Sequence, residues 1–134
     1  MSELSDAIWR LKDRLADPRR WIKYDVNLVD DDGYKTMCLL GARLDTLTDH
    51  HAWVSWHDSD GSLIEHVVND DPVNQAVYAV IREQFGHRLS TEANSRYDTP
   101  YHLIPTFNDD EHTTHEDVML VLEKAAIKAD EVLQ

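Results

Sequence analysis

Leu4, Ile8, Leu11 and Leu15 recur at three- and four-residue intervals. That is the period of one helix face, so residues 3–17 predict a first helix. Met37, Leu40, Leu44 and Leu47 repeat the pattern and predict a second over 36–47. Asp71-Pro72 has the form of a cap followed by proline at the first helical position. Val73, Ala76, Val77, Val80, Ile81 and Phe85 then share a face, and Gly86 closes a third helix. The fourth starts at about Thr114. Its stripe is Val118, Leu122, Ala125, Ala129 and Val132, widened by Met119, Leu120, Val121 and Ile127. A helix this apolar in its first half is expected to lie between other elements, or between the chain and a partner.

Between these helices the pattern changes. Asp17-Pro18 ends the first helix and restarts a short turn through Arg19, Arg20 and Trp21. Tyr24–Tyr34 reads as an extended segment that reverses at Asp32-Gly33. Ala52–Trp56 and Leu63–Val68, rich in aromatic and β-branched residues, flank Asp58-Ser59-Asp60-Gly61-Ser62 and predict a β-hairpin. Leu63, Ile64, Val67 and Val68 also fit a helical period, which keeps a helix open there. Residues 89–100 are polar and turn-rich, a surface loop. Tyr101–Ile104 predicts a short strand leading to Pro105, and Asn108-Asp109 an Asx-type turn. Thr114 and Asp117 have the spacing of a capping box, in which each side chain accepts from the other's backbone N–H. The expected fold is α+β but mainly α: about four helices and a small hairpin in a single domain over residues 1–134.

Charge changes the picture more than composition does. The chain of 134 residues carries a net −13, but residues 1–24 sum to +2 and residues 25–134 to −15. So acidic a surface repels a phosphate backbone, which argues against direct nucleic-acid binding. It suits a basic protein partner, or imitation of nucleic acid on one. The single cysteine, Cys38, excludes an internal disulfide and fits a reducing cytoplasm. No apolar run is long enough to span a membrane, and the first residues lack the pattern of a secretory signal.

The residues also carry a resemblance. Cys38-x-x-Gly41-Ala42, followed by Asn108-Asp109, four residues, Thr114, two residues and Asp117-Val118, resembles a family of unknown function from actinobacteria and their phages. Trp21 matches a tryptophan that its members carry near the start. The resemblance implies a shared fold and no particular chemistry.

Candidate chemistry is sparse. Nucleotide-cradling glycine motifs and nucleophile elbows are missing from the sequence. Asp30-Asp31-Asp32-Gly33 puts its glycine too early for an EF-hand loop. Asp109, His112 and His115 form a candidate metal trio ahead of the last helix, although His-Glu-x-x-His is not there. Trp53 and Trp56, if exposed, are candidate anchors for a partner, and Asn108 and Asp109 are candidate binding residues. Cys38 in an apolar setting reads as a small buried hydrophobe rather than a nucleophile. No cofactor is implied. The expectation is a non-enzymatic acidic interaction protein, phage-derived and modulating a host protein. The alternatives are an acidic nucleic-acid mimic that inhibits a DNA-binding protein, and a metal-dependent hydrolase.

Overall fold

The first helix, α1 (Glu3–Arg14), opens on Ser2, whose hydroxyl accepts from Ser5 N at 3.0 Å. Its apolar stripe, Ile8 and Leu11 with Leu15 just beyond, is fully buried. The last helix, α7 (His115–Glu131), opens on the expected box. Thr114 N donates to Asp117 Oδ2 at 3.0 Å, and Asp117 N donates to Thr114 Oγ1 at 3.2 Å. Two polar ties set these helices antiparallel. At one end Asp130 accepts from Ser2 N and Ser5 Oγ, both at 3.0 Å. At the other, His115 Nε2 meets Leu15 O at 2.7 Å. The structure, a computed structural model, describes residues 2–23, 27–29, 35–47, 50–89 and 98–131.

Between the two lie α2 (Leu39–Thr46), α3 (His50–Trp56), α4 (Glu65–Asp70), α5 (Pro72–Phe85) and α6 (Pro100–Asp109). Val118, Val121 and Leu122 of α7, Val77 and Ile81 of α5, and Leu103, Ile104 and Phe107 of α6 join the α1 stripe in one apolar cluster. Phe85 and Phe107 stack with ring centroids 5.1 Å apart. Each fully buried side chain of this size contributes about 1.5–3 kcal/mol of transfer free energy, so the cluster is the main source of stability. Asp71 caps α5, accepting from Asn74 N at 3.0 Å. It also receives Arg43 in a two-pronged pair, Nε to Oδ2 at 3.0 Å and Nη2 to Oδ1 at 2.9 Å. Both side chains are about nine-tenths buried. Residues Leu39 to Leu44 of α2 are buried throughout, in contact with α1, α5 and α6, which is why the helix carries Gly41-Ala42 where bulk would otherwise be expected.

The mainly helical fold is as expected, but the described residues hold seven α-helices where about four were expected. The expected hairpin at 52–68 is a correction. Gly61, at φ 86°, does make a tight reversal, closed by Asp58 N to Ser62 O at 2.9 Å and one antiparallel bridge, His57 to Leu63. Both arms then leave as helices. On α3, Ala52 and Trp56 are buried one turn apart while Val54 and Ser55 face solvent, a helical and not an alternating pattern. Strand pairing occurs instead between β1 (Asn27–Val29) and β2 (Lys35–Met37), antiparallel, with Leu28 opposite Thr36. Met37 is therefore strand, and the second helix starts three residues later than its apolar period suggests. The Asp32-Gly33 turn, most of the 89–100 loop and Val132 lie outside the described residues.

The expected strand at Tyr101–Ile104 is the second correction, since α6 runs from Pro100 straight through Pro105. An internal proline removes one helical hydrogen bond and crowds the preceding turn, a cost of about 3 kcal/mol. Complete burial of Leu103, Ile104 and Phe107 exceeds that cost. Thr106 Oγ1 donates to His102 O at 2.7 Å beside the interruption. No helix among the described residues is long and apolar enough to cross a membrane.

Candidate functional site

Because α6 continues to Asp109, Asn108 is a helical residue and not part of an Asx turn; its relative exposure is 0%. A buried primary amide has two acceptor positions and two N–H donors to satisfy, and Asn108 satisfies all of them within the chain. Oδ1 accepts from the Trp21 indole Nε1 at 2.7 Å and from Leu39 N at 3.2 Å. Nδ2 donates to Ile22 O and to Asp109 Oδ1, both at 2.9 Å. One side chain thus joins three distant segments: the strap after the Pro18–Arg20 turn, the first residue of α2, and α6. Ile22 N donates in turn to Met37 O at 3.0 Å, which ties the strap to β2. The Asx-type turn falls at Asp110, whose carboxylate accepts from His112 N at 2.8 Å.

Cys38 stands beside this junction as the cap of α2, its Sγ accepting from Gly41 N at 3.4 Å. Burial pushes the thiol above its ordinary pKa, only partly offset by the N–H groups of Gly41 and Leu40, and Asp109 adds to the rise. A nucleophilic cysteine needs the opposite surroundings. The sequence motif Cys-x-x-Gly-Ala therefore reads as a helix start pressed into a core.

The remaining candidates disperse. His115 Nε2 is engaged by Leu15 O, and its ring lies 6.2 Å from that of Trp21. His112 is exposed, 3.2 Å from Glu111. Asp109 turns to Asn108. Among the described residues no group of three or more His, Cys, Asp or Glu side chains has the geometry to hold a metal ion, so Asp109, His112 and His115 are not brought together. Trp56 is 5% exposed and belongs to the core. The side chain of Trp53 lies outside the described residues. Arg88 steadies the loop before α7: its Nη2 donates to Thr113 Oγ1 at 2.9 Å, and its guanidinium covers the Phe85 ring.

A family model described as a family of unknown function (DUF6197) matches residues 1–128. The chain belongs to that family. No curated protein and no solved structure matches it. The matched span takes in Trp21, Cys38 and Asn108, and so contains every part of the junction.

Sequence reading missed two surfaces. One is the outer face of α7, where Glu116, Leu120, Glu123, Ile127 and Glu131 are all exposed in helical register. The other is a pocket lined by Arg10, Asp13, Arg14, Arg20 and Thr46. The signal for the first was in the sequence: Leu120 and Ile127 lie off the main stripe, at a seven-residue spacing. The signal for the second was two arginines one helical turn apart.

Proposed function

We propose that the chain is a non-enzymatic interaction protein that docks a basic, amphipathic segment of a partner protein on the outer face of α7. The observation that carries this is a pair of exposed apolar side chains set in a line of acids. Leu120 and Ile127 are 39% and 46% exposed, two helical turns or about 10 Å apart, with Glu116, Glu123 and Glu131 in the same register. Apolar anchors spaced by seven residues suit a helix laid alongside. The carboxylates favour a partner with lysine or arginine flanking its own apolar positions, which speeds encounter and fixes orientation. The net charge of −13 acts in the same direction at longer range.

The test is capture of a partner from lysate by the full chain and by a Leu120→Lys, Ile127→Lys variant of unchanged melting temperature. The proposal expects a partner held by the parent at low salt, weakened at moderate salt, and lost by the variant. Equal capture by both proteins, or no capture by either, overturns it. The excess charge over residues 25–134 supports a second reading, an acidic mimic of nucleic acid on a DNA-binding protein. Competition of the captured partner by duplex DNA separates the two, since only a mimic shares its site with DNA.

A further inference from the structure

We infer that the outer face of α7 dictates which way a docked helix runs, because the two flanks of that face carry unlike charge; the inference rests on the docking reading above. The partner it selects is a helix with lysine or arginine along one flank of its apolar positions and carboxylates along the other. In a helix of 3.6 residues per turn, a residue three positions after an anchor falls about 60° to one side of it, and a residue four positions after falls about 40° to the other. Around Leu120 and Ile127, the first flank holds Glu116, Glu123 and Asp130, and the second holds Asp117, Lys124 and Glu131. Midway between the anchors the contrast is complete, with Glu123 on one side and Lys124 on the other.

The neighbouring helices keep the flanks different. Asp130 accepts from Ser2 N and Ser5 Oγ, both at 3.0 Å, so α1 borders the first flank. At that end α1 adds two further exposed acids, Glu3 and Asp6. Its Lys12 ammonium lies over the Trp9 ring, 5.4 Å from the centroid. Glu116 and Glu123 are both exposed on this side. On the second flank Lys128, one turn beyond Lys124, pairs with Glu83, so α5 borders that side. Of the acids there, Asp117 is drawn to Thr114 N at 3.0 Å, and Glu131 is the last residue of the helix. A partner's cations thus meet carboxylates on the α1 side and Lys124 on the α5 side. Charged positions beside an apolar seam set the direction in which paired helices run. In an antiparallel pair like flanks face each other, and in a parallel pair unlike flanks do. A segment with cations three residues after its anchors therefore runs antiparallel to α7. One with cations four residues after them runs parallel to it.

Two synthetic helical peptides of identical composition test this. Both carry leucine at every seventh position, with lysine and alanine on the face turned away. One has lysine three residues after each leucine and glutamate four after; the other has the two exchanged. Equal net charge removes the long-range attraction of the chain's −13 from the comparison. Each peptide bears a nitroxide at its N-terminus and is titrated into the isotope-labelled full chain. The first should broaden the amide signals of Lys128 to Glu131, and the second those of His115 to Val118. A preference of about tenfold between directions is expected, the yield of two or three surface charge pairs made rather than opposed. Lys124→Glu makes both flanks acidic, so each peptide should then broaden both ends, at an unchanged melting temperature. Broadening of the same end by both peptides, of both ends equally in the parent, or of one end still in Lys124→Glu overturns the inference and leaves the docking reading standing. Failure of either peptide to bind at all overturns both.

Discussion

Replacing Asn108 is the sharpest test of the junction. In Asn108→Ala, Leu39 N is left as a buried donor without a partner, which costs about 1–3 kcal/mol. The Trp21 indole N–H and the Ile22 carbonyl are only part-buried and regain water, so each loses about 0.5–1.5 kcal/mol. The space left by the amide adds about 1 kcal/mol. The total is roughly 3–7 kcal/mol, a large part of the 5–15 kcal/mol typical of a domain. For a chain of this size it lowers the melting temperature by roughly 10–25 °C. Asn108→Leu keeps the volume but not the hydrogen bonds, and should be no more stable than the alanine variant. Asn108→Asp adds a pH dependence. Its second oxygen would face Ile22 O and Asp109 Oδ1, both acceptors. Burial and that repulsion raise the folded-state pKa of the new carboxyl above its unfolded value. The folded protein then binds the proton more tightly, so the variant is most stable at acid pH and loses stability as pH rises through the raised pKa. Urea unfolding of the three variants between pH 5 and pH 8 measures all of this. An Asn108→Leu protein within about 1 kcal/mol of the parent, the worth of a single ordinary hydrogen bond, would refute the claim that the amide joins the segments.

Thr114→Ala removes one half of the α7 capping box and should cost about 1 kcal/mol, read by urea unfolding. Asp71→Ala leaves Arg43 buried without its partner and uncaps α5. A loss of about 3–5 kcal/mol is expected in the same assay. Cys38 should resist a thiol reagent at pH 8 in the native state and react on unfolding, and Asn108→Ala should expose it sooner. Because its folded pKa is raised, the contribution of Cys38 to stability is complete below its unfolded pKa and declines as pH rises above that into the alkaline range.

Elements with a local cause could be read from the chain. The Asp71 and Thr114 starts, the stripes of α1, α5 and α7, and the short turn at Pro18 all follow from contacts within a few residues. Where the cause was distant, the reading failed. Pro105 forbids a helix on local terms, and only the closure of Leu103, Ile104 and Phe107 against α5 and α2 permits one. Ala52–Trp56 has the composition of a strand, but its expected partner turns into helix from Glu65, and one buried helix face decided the matter. The extra helices, α3, α4 and α6, all have ten residues or fewer, too short to hold together without the core they pack on.

The same distinction governs the site. Asn108 and Asp109 looked like a turn because their local propensity is that of a turn, and nothing near them in sequence shows Trp21 or Leu39. Yet an amide whose four hydrogen-bonding positions are all taken by the chain has none to offer a substrate. A thiol that caps a helix from a buried position is equally withdrawn. At the surface, by contrast, Leu120 and Ile127 stand exposed among carboxylates on α7. Polar groups satisfied internally hold the shape. The docking face proposed on α7 therefore lies apart from the junction that the sequence motif marks, where every polar position of Asn108 is already taken up in architecture.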